Sequence, residues 1–292
     1  MKPPRFAPVV LAVCGLDLVV QPQVLRADLI AYEPYDYVDG ADLSNQSGGT
    51  GWGLPWTDTV GDTAILGSLQ YADSLGNSLV TSGNKAYYNG SGGTSSPYRD
   101  LPSVLGADGT TTWVSFLGQR IGPLHSPPTY YRAGNFSLFN RTLSSSTEQL
   151  AIGEGTNMPA DTWALVPDGS AANGIPSSVP FDALSLLVVR IDHLAGNDNA
   201  YLFVNPILGA EPEVAQADVQ SLGAFDFSLN SVRPFAGNPH SSGYPHAELL
   251  LDEIRIGETF ADVTPFTPIP EPGVAAMLAL GGALLAWRRS RR

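Results

Sequence analysis

Short runs rich in Val, Ile, Leu, Thr and aromatic residues, each ended by a cluster of Gly, Asn, Asp, Ser or Pro, recur along this chain, and no long stretch between its termini carries helical periodicity. Punctuation that frequent suits strands and excludes helices of ordinary length. The runs are Leu79 to Thr81, Thr111 to Ile121, Asn135 to Asn140, Gln149 to Gly153, Thr162 to Val166, Leu184 to Asp192, Ala200 to Asn205 and Leu249 to Gly257. Leu184 to Ile191 is apolar at both parities apart from Ser185 and Arg190, as a strand covered on both faces should be. In the last run Leu249 and Leu251 share one parity and Ile254 and Ile256 the other, so a bulge near Asp252 or two covered faces is expected. Gly83 to Pro102 is rich in Gly and Ser and reads as a long surface loop. Without a repeat of fixed period, these strands predict one all-β domain, a double-sheet jelly-roll β-sandwich over residues 28–266, and not a propeller.

The two termini differ from this body. Lys2 and Arg5 precede a mostly apolar Pro8 to Val20, interrupted by Asp17, and Leu25-Arg26-Ala27 offers a cleavage point before Asp28, so residues 1–27 read as a signal peptide helix for signal peptidase. Leu11-Ala12-Val13-Cys14 departs from a lipoprotein box at Val13, which favours ordinary cleavage over lipidation. At the other end, residues 273–287 carry no charge and are dominated by Ala and Leu. At about 1.5 Å per residue that stretch falls short of the roughly 30 Å hydrocarbon core, but Trp287 and the cluster Arg288, Arg289, Arg291 and Arg292 suit an interface and would hold their end in the cytoplasm. A single transmembrane helix at 273–287 is therefore expected, with the body of the chain outside. Pro270, Glu271 and Pro272 keep the segment before it extended.

Pro-Glu-Pro, an apolar helix and an Arg-rich end, in that order over residues 267–292, resemble the PEP-CTERM sorting signal of Gram-negative bacteria that make exopolysaccharide. The resemblance implies processing by an exosortase near Pro270, Glu271 and Pro272, transient anchoring in the inner membrane, and delivery to the cell surface or extracellular matrix. The body carries a second resemblance. "LIAYEPYDYVDGADLSNQSGGTGWGLPWT", "LLVVRIDHLAGNDNAYLFVNP" and "LLLDEIRIGETFADV" are similar to LamG-like, concanavalin A-like jelly-roll domains. That architecture hosts lectins, hydrolases and adhesion modules, so it implies a fold more than a function.

Charge and motif narrow the function. The chain has a net charge of −13, and Lys2, Arg5, Arg26 and the four terminal arginines all lie in the end segments, so the body is more acidic still. Nucleic acid is excluded as a partner, because phosphate binding needs a basic face. The one cysteine, Cys14, sits in the signal segment, which leaves the body no thiolate nucleophile. Glycosidases of this architecture carry Glu-x-Asp-x-x-Glu along one strand; the nearest match here is Glu248, Leu250 and Glu253, with leucine in the middle, and the neighbouring acids Asp252 and Glu253 should point to opposite faces of a regular strand. The histidines His125, His193, His240 and His246 are scattered, and no Gly-x-Ser-x-Gly elbow is present. The expectation is thus a chain that is not an enzyme and has no catalytic residues. It would bind exopolysaccharide or another glycan, with a structural or adhesive surface module and a polysaccharide hydrolase or lyase as the alternatives.

Two constellations serve the binding reading. Trp52, Trp56, Tyr130 and Tyr131, with Tyr87 and Tyr88, sit in or near loops where aromatic faces could stack on sugar rings. Asp192, Asn197, Asp198 and Asn199 gather oxygen ligands around one hairpin, as a calcium site needs, although Asn and Asp are also the ordinary residues of turns.

Overall fold

The computed structural model describes residues 29–268 except 60, 123–124, 127–129, 143–146, 156–157, 159–160 and 240–244. The signal segment, Pro270, Glu271, Pro272, the 273–287 helix and the four terminal arginines lie outside the described residues. Among the described residues no helix is long and apolar enough to cross a membrane. In chain order the strands are β1 (Ala31–Glu33), β2 (Thr63–Ile65), β3 (Ser78–Leu79), β4 (Lys85–Asn89), β5 (Arg99–Leu105) and β6 (Thr111–Ile121). Next come β7 (His125–Ser126), β8 (Tyr130–Tyr131), β9 (Gly134–Asn140), β10 (Thr147–Glu154), β11 (Thr162–Pro167) and β12 (Ile175–Pro180). The last are β13 (Ser185–Asp192), β14 (Asp198–Val204), β15 (Val219–Phe225), β16 (Leu229–Ala236), β17 (Glu248–Gly257) and β18 (Phe266–Thr267), with one helical turn, α1 (Phe260–Val263), before the end.

The strands build a β-sandwich. An eight-stranded sheet runs β15-β14-β13-β6-β17-β4-β2, with β1 beside β17, and a six-stranded sheet runs β12-β11-β10-β9-β16-β5. Alternation decides which side chains meet between them. Val114 and Phe116 of β6, Leu187, Val189 and Ile191 of β13, Phe136 and Leu138 of β9, and Leu150 and Ile152 of β10 fill one inter-sheet core. The opposite parity of β13 is buried too: Leu186 and Val188 join Trp113, Leu117, Tyr201 and Phe203 under Leu79, Leu208, Phe260 and Val263. The continuous apolar run is explained by this second layer on the outside of the eight-stranded sheet. α1 is fixed there by a reciprocal cap, Thr259 Oγ1 accepting from the Asp262 amide and Asp262 Oδ2 from the Thr259 amide.

The parity switch in β17 is a bulge. Register against β6 shifts between Asp252 and Arg255, and Glu253 takes a left-handed φ of 57°. Ahead of the bulge β17 pairs with β4, beyond it with β1, so one strand serves two partners on the same edge. Residues 83–102 are not a loop as the composition suggested: they contain β4 and open β5. In β4 the sequence does alternate, Ala86 and Tyr88 buried between half-exposed Lys85, Tyr87 and Asn89, and apart from Gly83 the glycines lie in the turn that follows.

The core between the sheets is aromatic and close-packed. Trp163 meets Phe181 edge-on at 4.3 Å between ring centroids, and Phe116 lies 4.6 Å from Phe136. Gly118 in β6 leaves room for these rings, since a Cβ there would stand 2.8 Å from the Trp163 ring and 3.0 Å from that of Phe116. Gly118→Ala should therefore cost about 1–3 kcal/mol of stability in a urea titration, with the slope of the transition unchanged.

Candidate functional site

Strands of the six-stranded sheet place their non-core parity on its outer face. β9 supplies Asn135, Ser137 and Phe139; β16 supplies Ser231, Arg233 and Phe235, each directly opposite one of these. Glu148 of β10 pairs with Phe139, and Asp100 of β5 with Ser231, which adds one carboxylate on each side. Beyond β10 the same face is roofed by Met158 and Ala171 over Ala151, Ala164 and Val166, so the polar part lies toward β5.

Cations, acids and rings interleave on this face. The Arg233 guanidinium sits 4.3 Å from the Phe139 ring centre and 4.7 Å from that of Phe235, and Nη2 donates to Glu148 Oε1 at 3.0 Å. Ser137 Oγ donates to the same oxygen at 2.5 Å. Arg141 stacks 4.5 Å over Tyr98, and its Nη1 donates to both Asp100 oxygens at 2.9 and 3.0 Å. Tyr98 and Phe139 meet edge-on at 5.1 Å and join the two stacks. Arg141, about one-third exposed, keeps donors beyond those bonds, whereas the Arg233 Nε that makes no hydrogen bond is buried. Phe139, Asn135, Ser137 and Ser231 are themselves buried, so the surface a ligand meets is that of Tyr98, Arg141, Arg233 and Phe235, whose rings and donors suit a ligand that presents hydroxyls and C–H faces together.

None of these residues was among the aromatic candidates read from the loops. Trp56 is buried, its Nε1 donating to Glu33 Oε2 at 3.1 Å and its ring stacked on Tyr35, so it has no face for a sugar. Trp52 is half-buried beside it and donates to the Tyr32 carbonyl at 3.0 Å. Tyr88 is core, hydrogen-bonded to the Tyr35 hydroxyl, and Tyr87 donates to Glu248. Tyr130 and Tyr131 form β8, paired with β7, and their side chains lie outside the described residues, as does His240.

The hairpin oxygens do not form a calcium cage. Asp198 is buried, Oδ1 accepting from the Leu194 amide at 2.7 Å, Oδ2 from the Phe227 amide at 2.8 Å and paired with His193 Nδ1 at 3.1 Å. Asp192 pairs with Arg190, while Asn197 and Asn199 both bond the Gly223 backbone. These oxygens organise turns, and among the described residues no cluster of three or more His, Cys, Asp or Glu side chains is placed to hold a metal.

The acids of β17 also depart from expectation. The bulge turns Asp252 and Glu253 toward one covering segment, residues 66–82, where a regular strand would have set them on opposite faces. Asp252 Oδ2 accepts from Ser68 Oγ and the Leu69 amide at 2.6 and 2.7 Å; Glu253 accepts from the Ser82 amide at 2.5 Å and from Tyr32 Oη at 2.9 Å, and pairs with Arg255. Burial pushes the Asp252 carboxyl up to about 8 and raises Glu253 as well, with Glu253's charge adding to the effect on Asp252. Both are fully buried and serve as anchors for the segment above them.

No family model and no curated protein matches this sequence. Solved structures it resembles include the Trypanosoma cruzi calreticulin globular domain, at 10% identity and a TM-score of 0.43 over 80% of this chain and 90% of that one. An endo-1,3-beta-glucanase from Streptomyces sioyaensis gives 11% identity and 0.43 over 78% and 95%. A family 7 alginate lyase, A1-II′, gives 11% and 0.39 over 65% and 83%. Enzymes thus stand among these structures, and the expectation of a chain that is not an enzyme, drawn from the missing Glu-x-Asp-x-x-Glu strand, is corrected on that finding. At these scores the likeness assigns no activity.

Proposed function

We propose that this is an exported protein, carried across the inner membrane by residues 1–27 and sorted to the cell surface or matrix through Pro270-Glu271-Pro272, the 273–287 helix and the terminal arginines, whose concanavalin A-like jelly roll binds glycan on the outer face of its six-stranded sheet. The observation that supports the binding role is the convergence of two guanidinium–aromatic stacks, Arg233 with Phe139 and Phe235, and Arg141 with Tyr98, between the carboxylates Asp100 and Glu148. The sorting role rests on the three-part tail. Exosortase and signal peptidase are its expected partners, and exopolysaccharide its expected ligand class.

Glycan-array binding by the full-length chain tests the first part. Saturable binding is expected, weakened about tenfold by Arg141→Ala and by Phe235→Ala, each removing one stacked contact. Because the oxygens of Asp192, Asp198 and Asn199 already hold protein donors, a chelator should leave binding unchanged. A folded chain that stays silent across the array, or one whose binding ignores both substitutions, removes the proposal.

A further inference from the structure

Among the histidines whose side chains are described, His193 is the buried one, and it stands between a hydroxyl and a carboxylate. Its Nε2 is 3.0 Å from Thr112 Oγ1 and its Nδ1 is 3.1 Å from Asp198 Oδ2. The row is held from both ends. Backbone amides of Leu194 and Phe227 fix Asp198. The His193 main chain is pinned by its amide to the Thr110 carbonyl at 2.9 Å and by its carbonyl to the Gly109 amide at 2.7 Å. With Asp198 accepting from Nδ1–H, the imidazole is the tautomer whose Nε2 can take a proton from Thr112. Thr112 is buried, yet it lines a cleft of about 360 Å³ at one end of the sandwich, bordered by Ile30, Val104, Leu105, Thr110, Thr111 and Glu258. Nucleophile, base and orienting acid are thus in sequence beside a space of mixed apolar and polar lining, near the lower end of small-ligand pocket volumes.

We infer that Thr112, His193 and Asp198 form an acyl-transfer site for small carboxylic esters, distinct from the sheet face proposed above. Thr112 Oγ1 adds to the ester carbonyl carbon while His193 Nε2 takes the hydroxyl proton. The bond to the alcohol oxygen then breaks, and the alcohol leaves with that proton. Water attacks the resulting acyl-threonine, gives a proton back through His193, and releases the carboxylic acid with the Thr112 hydroxyl restored. Asp198 holds the imidazole throughout and is a positioning residue. The small volume of the cleft favours a short acyl chain.

The full-length chain is incubated with a fluorophosphonate probe and, separately, with 4-nitrophenyl acetate, and the adduct is mapped by peptide mass spectrometry. An adduct on Thr112 and slow ester hydrolysis are expected. Thr112→Val, which keeps the side-chain shape, should abolish the adduct and lower hydrolysis about a hundredfold, whereas Thr112→Ser should keep both. If Thr112→Val does not fold, the wild-type adduct decides alone. A folded wild-type chain without an adduct on Thr112, or hydrolysis that survives the valine substitution, overturns the assignment.

Discussion

Arg99→Met should lower the melting temperature by roughly 10 °C, the largest effect expected of any single substitution in this chain. Arg99 leaves β5 of the six-stranded sheet and crosses the core to Glu33 on β1 of the eight-stranded one, with Nη1 3.2 Å from Oε2 and both side chains essentially inaccessible. The same guanidinium donates to the carbonyls of Gln46 and Gly48 at 2.9 and 2.7 Å and lies 5.5 and 5.6 Å from the Trp52 and Trp56 rings. Glu33 also accepts from the Tyr35 amide, Tyr37 Oη and Trp56 Nε1. Removing only the arginine leaves a buried carboxylate and two carbonyls without their donor, which costs about 3–5 kcal/mol for an ion pair broken on one side. Burial already pushes the Glu33 carboxyl up, against Arg99's pull downward, so the single variant should also protonate it.

The control is the pair. Adding Glu33→Gln to Arg99→Met removes the orphaned charge while keeping an acceptor for Trp56, and should recover part of the loss. A double variant no more stable than the single one would mean that the packing of the Arg99 stem, and not the charge, sets the cost. Arg99→Lys should fall between, because one ammonium cannot reach the Glu33 carboxylate and two carbonyls in the planar fork that guanidinium provides. Differential scanning calorimetry at one pH settles all three.

Elements that close on themselves were legible in the sequence. β6 occupies the Thr111 to Ile121 run read from composition, β13 has the two covered faces its apolar parities demanded, and the β17 bulge lies where Leu251 and Ile254 change parity. What could not be read is what depends on a distant partner. β16 carries Pro234 mid-strand, which argues against a paired strand, yet β5 pairs only at residues 229, 231 and 232, so the missing amide has no β5 partner to disappoint. Without β16, Arg233 has no sheet to stand on, and the outer face is hidden in the sequence although Asn135 to Asn140 reads as a strand. Trp56 differs the other way: Gly and Pro around it suggest exposure, and its distant partners Glu33, Tyr35 and Arg99 draw its ring inward. His193 looked scattered because Thr112 approaches it from a separate strand.

Stability should fall as pH rises from about 5 to 9, and Glu154→Gln should flatten that fall. Glu154 ends β10 on the core side, 3.7 Å from Arg120 Nη1, with neither carboxyl oxygen hydrogen-bonded. Burial pushes its carboxyl up to about 8, with Arg120 pulling down and Asp161 pushing further up; Asp252 is raised to a similar value by burial. A carboxyl whose folded value exceeds its unfolded one binds more protons in the folded state, so the stability it contributes is complete below about pH 4 and is lost as pH climbs through about 8. Asp42 and Asp73 act oppositely. Hydrogen bonds hold both below the usual range, despite burial of Asp73, and their contribution is lost in acid, which places the optimum near pH 5. Glutamine mimics the protonated Glu154, so at pH 5 the variant should melt close to the wild type. At pH 9 it should melt higher, by about 5 °C, since the cost of ionising between the sheets is gone. Parallel melting curves across the range for both proteins would show that Arg120 fully offsets that cost and that Glu154 is ionised in the folded core.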